Sequence, residues 1–547
     1  MDEVTGVVRA TRAPTTAGVP PAPHGFAAAG RWIAALAAAL LVMALVGCGS
    51  GGSGGSTAST GGASSGGRGT VLRIGVPYVP TDLDPANGTN LGTPIPGQIW
   101  SATLLANSAA DGSIIPGLAI RFGYVGRGNK VYEMQLRRDA RFSDGTPVTS
   151  ADVKAWIDYY ARRSGSPAAG LIPVSSVDTP DRWTVRINLR TSDSGIEGYI
   201  GQGWGWGYIA KVDDLRALSK NPVGAGPYVM VPSETVAGDH YTYVPNKYYY
   251  DPSLIHYDKI VVKVLANPTT MLQAIKSGQI DVAIGDYTTA PAAESAGLTV
   301  GSAAHGWAGI VLEDRGGTLA KPLGDVRVRQ ALNYAIDRRA ITEAMLGKYG
   351  APTSEIYTQD AFDPSYQDHY PFDAAKARQL LADAGYANGF TLKTVVQADN
   401  GNVGAPMAQA VAKYLSAVGV KLDIRVVPSE AEMENAIASR QYPAWFKEAP
   451  GPAMEGYFAC CIKKGGPANK YGWSDPVMER LAQQAAVAPS DQVQVLWRAV
   501  SRRSADVAAF VPVFLTPTIV YSTGAVDGVR VTPWFYFAPV VSEWHPK

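Results

Sequence analysis

The chain has 547 residues, with 48 basic side chains against 47 acidic ones and a net charge of +1, so it carries no electrostatic footprint for nucleic acid. Three cysteines are too few for a disulfide framework, and six scattered histidines (24, 240, 256, 305, 369 and 545) show no HxxxH, HExxH or Cys/His spacing for a metal. No GxxxxGK[ST] run occurs, and GxSxG appears only inside the Gly/Ser-rich stretch (Gly51 to Gly55 and Gly62 to Gly66) with no strand or helix pattern around it, so neither ATP hydrolysis nor a nucleophile elbow is indicated and no enzyme and no cofactor are expected.

The chain opens with Arg9, Arg12 and Arg31 ahead of an apolar run from Trp32 to Val46. A spanning helix needs roughly 20 residues, and this run is shorter, of signal-peptide length. It ends in Leu45-Val46-Gly47-Cys48, which has the look of a lipobox with Cys48 as the lipidated residue. Gly49 to Gly69 is almost entirely Gly, Ser, Thr and Ala, a flexible leash with an r.m.s. span of roughly 25 Å. Two acyl chains on Cys48 would suffice for stable anchoring where one is marginal.

About 480 residues follow, enough for two or three lobes. Leu72 to Val76 alternates as a strand, and Pro77, Pro80 and Pro85 then force an extended loop around Asp82 and Asp84. Val131 to Phe142 alternates again and stops at the turn pair Asp144-Gly145. Thr149 is placed to cap a helix with Asp152 as its capping-box partner, and Val153, Trp156, Ile157 and Tyr160 share one face. The run GQGWGWGY from Gly201 to Tyr208 crowds Trp204, Trp206 and Tyr208 among glycines; these rings either stack a ligand or plug the base of a lobe. NPVGAGPY, Asn221 to Tyr228, holds glycines that can absorb a backbone change, and a hinge crossing between lobes is expected there. From Thr269 a short helix stops at Gly278 and a strand runs from Ile280 to Ile284, one helix-strand unit of an α/β lobe.

Asp325 then caps a helix whose stripe is Val328, Ala331, Leu332, Ala335 and Ile336, leaving Arg327 and Arg329 to the surface. Asp373 caps a helix ending at Gly385, and a helix ending at Gly419 leads into the alternating strand Val420 to Val426. The adjacent Cys460 and Cys461 read as free thiols, because bonding them strains the intervening peptide. Phe510 to Phe514 closes the pattern as a return crossing to the first lobe. No fixed-period repeat is present, and helices and strands alternate to the end.

The run FSDGTPVTSADV, Phe142 to Val153, resembles the signature of the family 5 extracellular solute-binding proteins, the peptide- and nickel-type receptors of ABC importers. TDLDPA after the first strand, GSIIPGL from Gly112, NPVGAGPY, PNKYY from Pro245, SGQID from Ser277, GDVRVRQALNYAIDRRAITEAMLG and NKYGWSDP from Asn469 are similar to further landmarks of that family. They keep its order from Leu72 to about Pro533. PNKYY departs from the family's Asn-Pro-x-Tyr-Trp by a displaced Pro and a missing Trp.

The resemblance implies an α/β, bilobal fold of the type II periplasmic-binding-protein kind, with an extra subdomain and a hinge between lobes. The implied division is a signal peptide with lipobox at 1–47 and a lipid-anchored linker at 48–69. Lobe I would take 70–112, 216–320 and 509–547, with the subdomain at 113–215 and lobe II at 321–508. The implied function is capture of a short peptide between the lobes and its delivery to an ABC permease and its ATPase subunits. The protein would be a monomer anchored by lipid on the extracytoplasmic face of the cell membrane or in the periplasmic space.

In peptide receptors of the family, a Trp-x-x-Asp-x-x-Asp-Pro segment supplies a carboxylate for the ligand's ammonium group. Here the run is Trp445 to Pro452, with Glu448 at the first Asp and Gly451 at the second. Glu448 is one methylene longer and has Lys447 beside it, so a ligand carboxylate and a solvated loop charge both stay open. Trp445 is expected in the cleft wall. Tyr471 and Asp82 are expected to border the same cleft, and the Arg for a ligand carboxylate is not evident. Two alternatives remain: the same fold with nickel chelate, haem, oligosaccharide or opine as cargo, or a regulatory envelope lipoprotein that has lost transport.

Overall fold

The computed structural model describes residues 70–78, 82–86, 94–108, 110, 112–163, 172–201, 205–358, 360–399, 403–451, 453–466, 468–531 and 540–547. Cys48 and its leash lie outside the described residues, as does Trp204. Among the described residues no helix is long and apolar enough to cross a membrane.

Eleven strands form one continuous sheet, and two of them hold it together. Thr299–Leu312 and Phe510–Ser522 run antiparallel over nearly their whole length. At one end Phe510–Ser522 pairs with Val282–Gly285, which leads through Val71–Val76, Lys259–Val264 and His240–Pro245 to Tyr228–Met230 at the sheet edge. At the other end Thr299–Leu312 pairs with Ala444–Pro450, which leads through Phe390–Gln397 to Val420–Val427. The two long strands therefore cross from one half of the molecule to the other. Their ladder shifts register between Ala304 and Gly306 and between Ala308 and Gly309, bulges that bend and twist the connection. Gly309 is required there, since a Cβ would lie 2.3 Å from the Val511 carbonyl oxygen.

Each half has its own apolar core. One cluster joins Leu72, Ile74, Ile260 and Trp100 to the subdomain; another packs Val328, Leu332, Leu381, Met407 and Phe446 on the far half. The subdomain is an antiparallel sheet of Ala119–Tyr124, Val131–Leu136, Thr184–Leu189 and Val174–Asp181, with the helix Ser150–Ala161 against it. That helix starts where the sequence places it. Thr149 and Asp152 form the capping box, and Val153, Trp156, Ile157 and Tyr160 are all buried.

Three expectations are corrected. The crossing is not at Asn221 to Tyr228: Gly224 and Gly226 lie against Trp100, where a Cβ would meet its carbonyl oxygen at 2.4 and 2.8 Å. These glycines serve close packing within one half. The stripe Val328, Ala331, Leu332, Ala335 and Ile336 is buried as expected, but its helix, Val326–Tyr334, stops before Ile336, and a second helix, Arg338–Leu346, starts where Asp337 caps it through the Ala340 amide. Arg329 is buried, not at the surface, and its guanidinium donates to the carbonyls of Val507 and Leu323 at 2.9 and 2.8 Å. Arg327 is the exposed one, clamped on Asp325.

A buried acid in the second half makes stability depend on pH. Burial pushes the Glu355 carboxyl up to about 7, against hydrogen bonds from Ser501 Oγ and the Asp363 amide. An unfolded Glu titrates near ~4.3, so folding takes up a proton between these values. The stabilisation is complete below ~4.3 and is lost as pH rises through about 7. Glu355→Gln is expected to remove about 2–3 kcal/mol of that pH dependence, read as a flattened difference in urea midpoint between pH 5 and pH 8.

Candidate functional site

A cavity of about 210 Å³ lies where the two halves meet the crossing strands. Pro77 and Ile284 to Tyr287 come from one half, Leu346, Val403 and Glu448 from the other, and His305 and Thr516 to Ile519 from the long strands. Larger depressions, about 440 Å³ beside Tyr159 and Arg163 and about 590 Å³ beside Arg338 and Phe372, are each walled by one half alone. Only contact with both halves lets a ligand favour one arrangement of the lobes over another.

Strand geometry decides what reaches the cavity. Successive side chains of Ala444–Pro450 point to opposite faces. Ala444 and Phe446 enter the second-half core, and Glu448 continues that face into the cavity. Its carboxylate Oε1 accepts from Thr516 Oγ1 at 2.9 Å and lies 3.2 Å from His305 Nε2. Both side chains are withdrawn from water, 9% exposed for Glu448 and 7% for His305. Lys447 falls on the opposite face, with its ammonium 5.3 Å from the ring centre of Tyr457 and 5.6 Å from that of Trp445. Asp286 supplies a second carboxylate from the loop after Val282–Gly285, where its Oδ1 accepts from the Thr288 amide at 2.8 Å. Tyr521 holds this loop by accepting from the Asp286 amide at 3.0 Å and donating to its carbonyl. Among the described residues the lining has two carboxylates and no lysine or arginine, a set that favours a cationic group.

The other expected site residues are elsewhere. Trp445 is a core residue: its indole donates to Glu313 Oε2 at 3.0 Å, and burial raises the Glu313 carboxyl. It shares the Lys447 face, one step of alternation away from the cavity. Trp206 is fully buried, tilted against Tyr160 at 4.5 Å between centroids, and its carbonyl accepts from Trp156 Nε1. A ring with no accessible face plugs the lobe. Tyr471 donates to the Arg440 carbonyl at 2.8 Å, beside Glu313 and at the other end of the strand from Glu448. Asp82 accepts from the Asp84 amide at 2.9 Å and Ser219 Oγ at 3.2 Å, pinning its own loop. Asp84 beneath it is buried, which raises its carboxyl, and accepts from the Tyr159 hydroxyl.

His305, Thr516 and Asp286 were not anticipated. His305 was visible only as one scattered histidine, and no local signal marks Thr516; strand pairing alone sets both beside Glu448. Arg315 and Arg329 are held inside the second half by carbonyl oxygens, so neither faces the cavity. Cys460 and Cys461 are free thiols in a π-helical turn, Phe458–Ile462. Among the described residues no group of three or more His, Cys, Asp or Glu could hold a metal.

Comparison with known proteins agrees with this architecture. Residues 113–458 match the model of the bacterial extracellular solute-binding proteins, family 5 Middle. Heme-binding protein A of Haemophilus influenzae is 32% identical over 272 residues, 45% of this chain and 47% of that protein. The chain spans about half the length of the curated relatives it matches. Among solved structures, the binding protein AgaA of A. tumefaciens in complex with agropinic acid superposes with a TM-score of 0.71 at 22% identity, over 87% of this chain and 99% of that one. DppA of Helicobacter pylori in complex with the peptide STSA gives 0.70 at 18% identity, over 87% and 98%. These likenesses establish the bilobal type II binding-protein fold.

Proposed function

This chain belongs to the bacterial extracellular solute-binding proteins of family 5, and from that premise we propose that it is a receptor for short peptides. The observation that carries the reading is the Glu448 carboxylate in a cavity shared by both halves. A cationic terminus removed from water must be paired, and a buried charge pair that loses one member costs about 2–5 kcal/mol. The cavity is smaller than the roughly 300–1,000 Å³ usual for a drug-sized ligand. It therefore suits the ammonium end of a peptide, with the rest of the ligand lying along the cleft. The solute closes the lobes because only the closed form touches it from both sides, and an ABC permease reads that closure. The proposal includes lipid attachment at Cys48, the lobe boundaries given above, a monomeric state, an extracytoplasmic location and no catalytic step.

A thermal-shift screen of the chain from Gly69 onward tests it. Di- to octapeptides are expected to raise apparent stability by about 2.7 kcal/mol at a hundredfold excess over their dissociation constant. N-acetylation of the peptide or Glu448→Gln should abolish the shift. Stabilisation by haem or an opine instead, insensitive to Glu448→Gln, would overturn the peptide reading and keep the fold.

A further inference from the structure

A second contact joins the halves away from the crossing strands. The turn Asp193-Ser194-Gly195, between the strand Thr184–Leu189 and the short helix Ile196–Ile200 of the subdomain, meets the segment that follows Glu448. Glu455 accepts from the Ser194 amide at 3.1 Å and from Ser194 Oγ at 2.9 Å. Trp497 of the helix Ser490–Asp506 donates its indole N–H to the same hydroxyl at 3.1 Å, and Asn129 donates to the Ala488 carbonyl at 3.0 Å. The surfaces fit closely. A Cβ at Gly195 would lie 2.7 Å from Glu455 Oε2, and one at Gly456 would lie 2.5 Å from the Tyr199 hydroxyl.

The join is rich in acid. Asp193 accepts from Tyr124 at 3.4 Å and from the Gly195 amide at 3.0 Å, and it faces Glu455 across the contact. Asp360, on the second half, accepts from the Met454 amide at 2.8 Å and approaches the same carboxylate. Glu197 of the short helix accepts from Tyr132 and lies near Tyr124. Cys460 is close to Tyr199, and two cations are nearby: Arg498, which acts on Asp360, and Lys447, which acts on Cys460. Burial first, then mutual repulsion with Asp193, raises the Glu455 carboxyl; burial raises Asp193 and Asp360 as well. Separating the halves would return Asp193 and Glu455 to water.

We propose that Ser194, Asp193 and Glu455 form a proton-dependent clasp that holds the two halves together in acid and releases them as pH rises. Closing the contact takes up protons because two facing carboxylates lose their water together. With folded-state values raised above those of exposed acids, the clasp is complete below the ordinary carboxylate range. It weakens as pH rises through the raised values. Its use in retaining and releasing a solute rests on the receptor reading above; the clasp itself does not.

Hydrogen–deuterium exchange of the full chain without ligand, corrected for the pH dependence of chemical exchange, tests this. Peptides covering 193–200 and 454–458 are expected to lose protection by about tenfold or more between pH 5 and pH 8.5. Glu455→Gln, which mimics the protonated acid, should keep them protected throughout. Gly195→Ala should leave them unprotected at every pH while the helix Val326–Tyr334 stays protected as in the parent. Protection independent of pH in the parent chain, or an unchanged pH dependence in Glu455→Gln, overturns the clasp. Peptides that fail to bind while this titration persists would count against the receptor reading alone.

Discussion

Arg338→Met is expected to destabilise the second half by about 3–5 kcal/mol, because several buried oxygens lose their donor at about 1–3 kcal/mol each. The guanidinium is buried and, although the Asp368 charge acts on it, burial dominates and lowers its pKa to about 10. Its charge is spread over oxygens. Nε donates to the carbonyls of Thr353 and Pro512 at 3.0 and 2.8 Å, Nη1 to those of Asn333 and Tyr370 at 2.8 and 3.1 Å, and Nη2 to Asn333 Oδ1 at 2.7 Å. One side chain thereby ties a helix end, two loops and the crossing strand Phe510–Ser522 together. Methionine fills the volume and leaves the acceptors unsatisfied. Lysine is expected to fail almost as badly, because three donors on a flexible stem cannot reproduce a planar fork. Urea denaturation reads the effect as a lowered midpoint at constant slope; a loss under about 1 kcal/mol would mean that water replaces the guanidinium.

Trp307→Ala should cost a comparable 3–5 kcal/mol, and it should also disturb the solute cavity. The ring is fully buried, edge-on to Phe510 at 5.7 Å, and its indole donates to the Tyr457 hydroxyl at 3.0 Å. Trp307 sits in register with Ala449 on one side and Leu515 on the other. Its removal opens a void beside the strand that carries Glu448 and leaves Tyr457 without its donor. Trp307→Phe separates the two effects: most of the packing survives, the hydrogen bond is lost, and a cost of about 1 kcal/mol is expected. If the alanine variant keeps both stability and ligand response, the strand is positioned by something other than this ring.

Elements governed by neighbours in the chain were legible from the sequence. The capping box at Thr149, the caps at Asp325 and Asp373 and the glycine stops at Gly278, Gly385 and Gly419 all appear at their stated positions. The helix end at Tyr334 was missed because the apolar spacing continues to Ile336, while the cap that starts the next helix is the single polar side chain of Asp337. Arg329 was misplaced for a related reason. A charged residue at a helical position reads as surface, and only the carbonyls of Val507 and Leu323 make its burial affordable.

Glu448 was nominated from the sequence, whereas its surroundings were not. The residues beside it, His305, Thr516 and Asp286, stand far away in the chain, and their approach depends on which strands pair and in which register. Alternation along Ala444–Pro450 sends Trp445 and Lys447 to one face and Glu448 to the other, but which face is the cavity is set by the packing of Phe446 on the second-half core. By itself the sequence determined the family, the α/β alternation, the local caps and one carboxylate, because each depends on short-range spacing or on a collinear set of motifs. The return crossing at Phe510 was legible too, whereas tertiary structure alone decided that Thr299–Leu312 is its partner in the crossing, which aromatic rings are core and which acids face one another across the join. Those outcomes follow from long-range strand pairing and burial, which no local window contains.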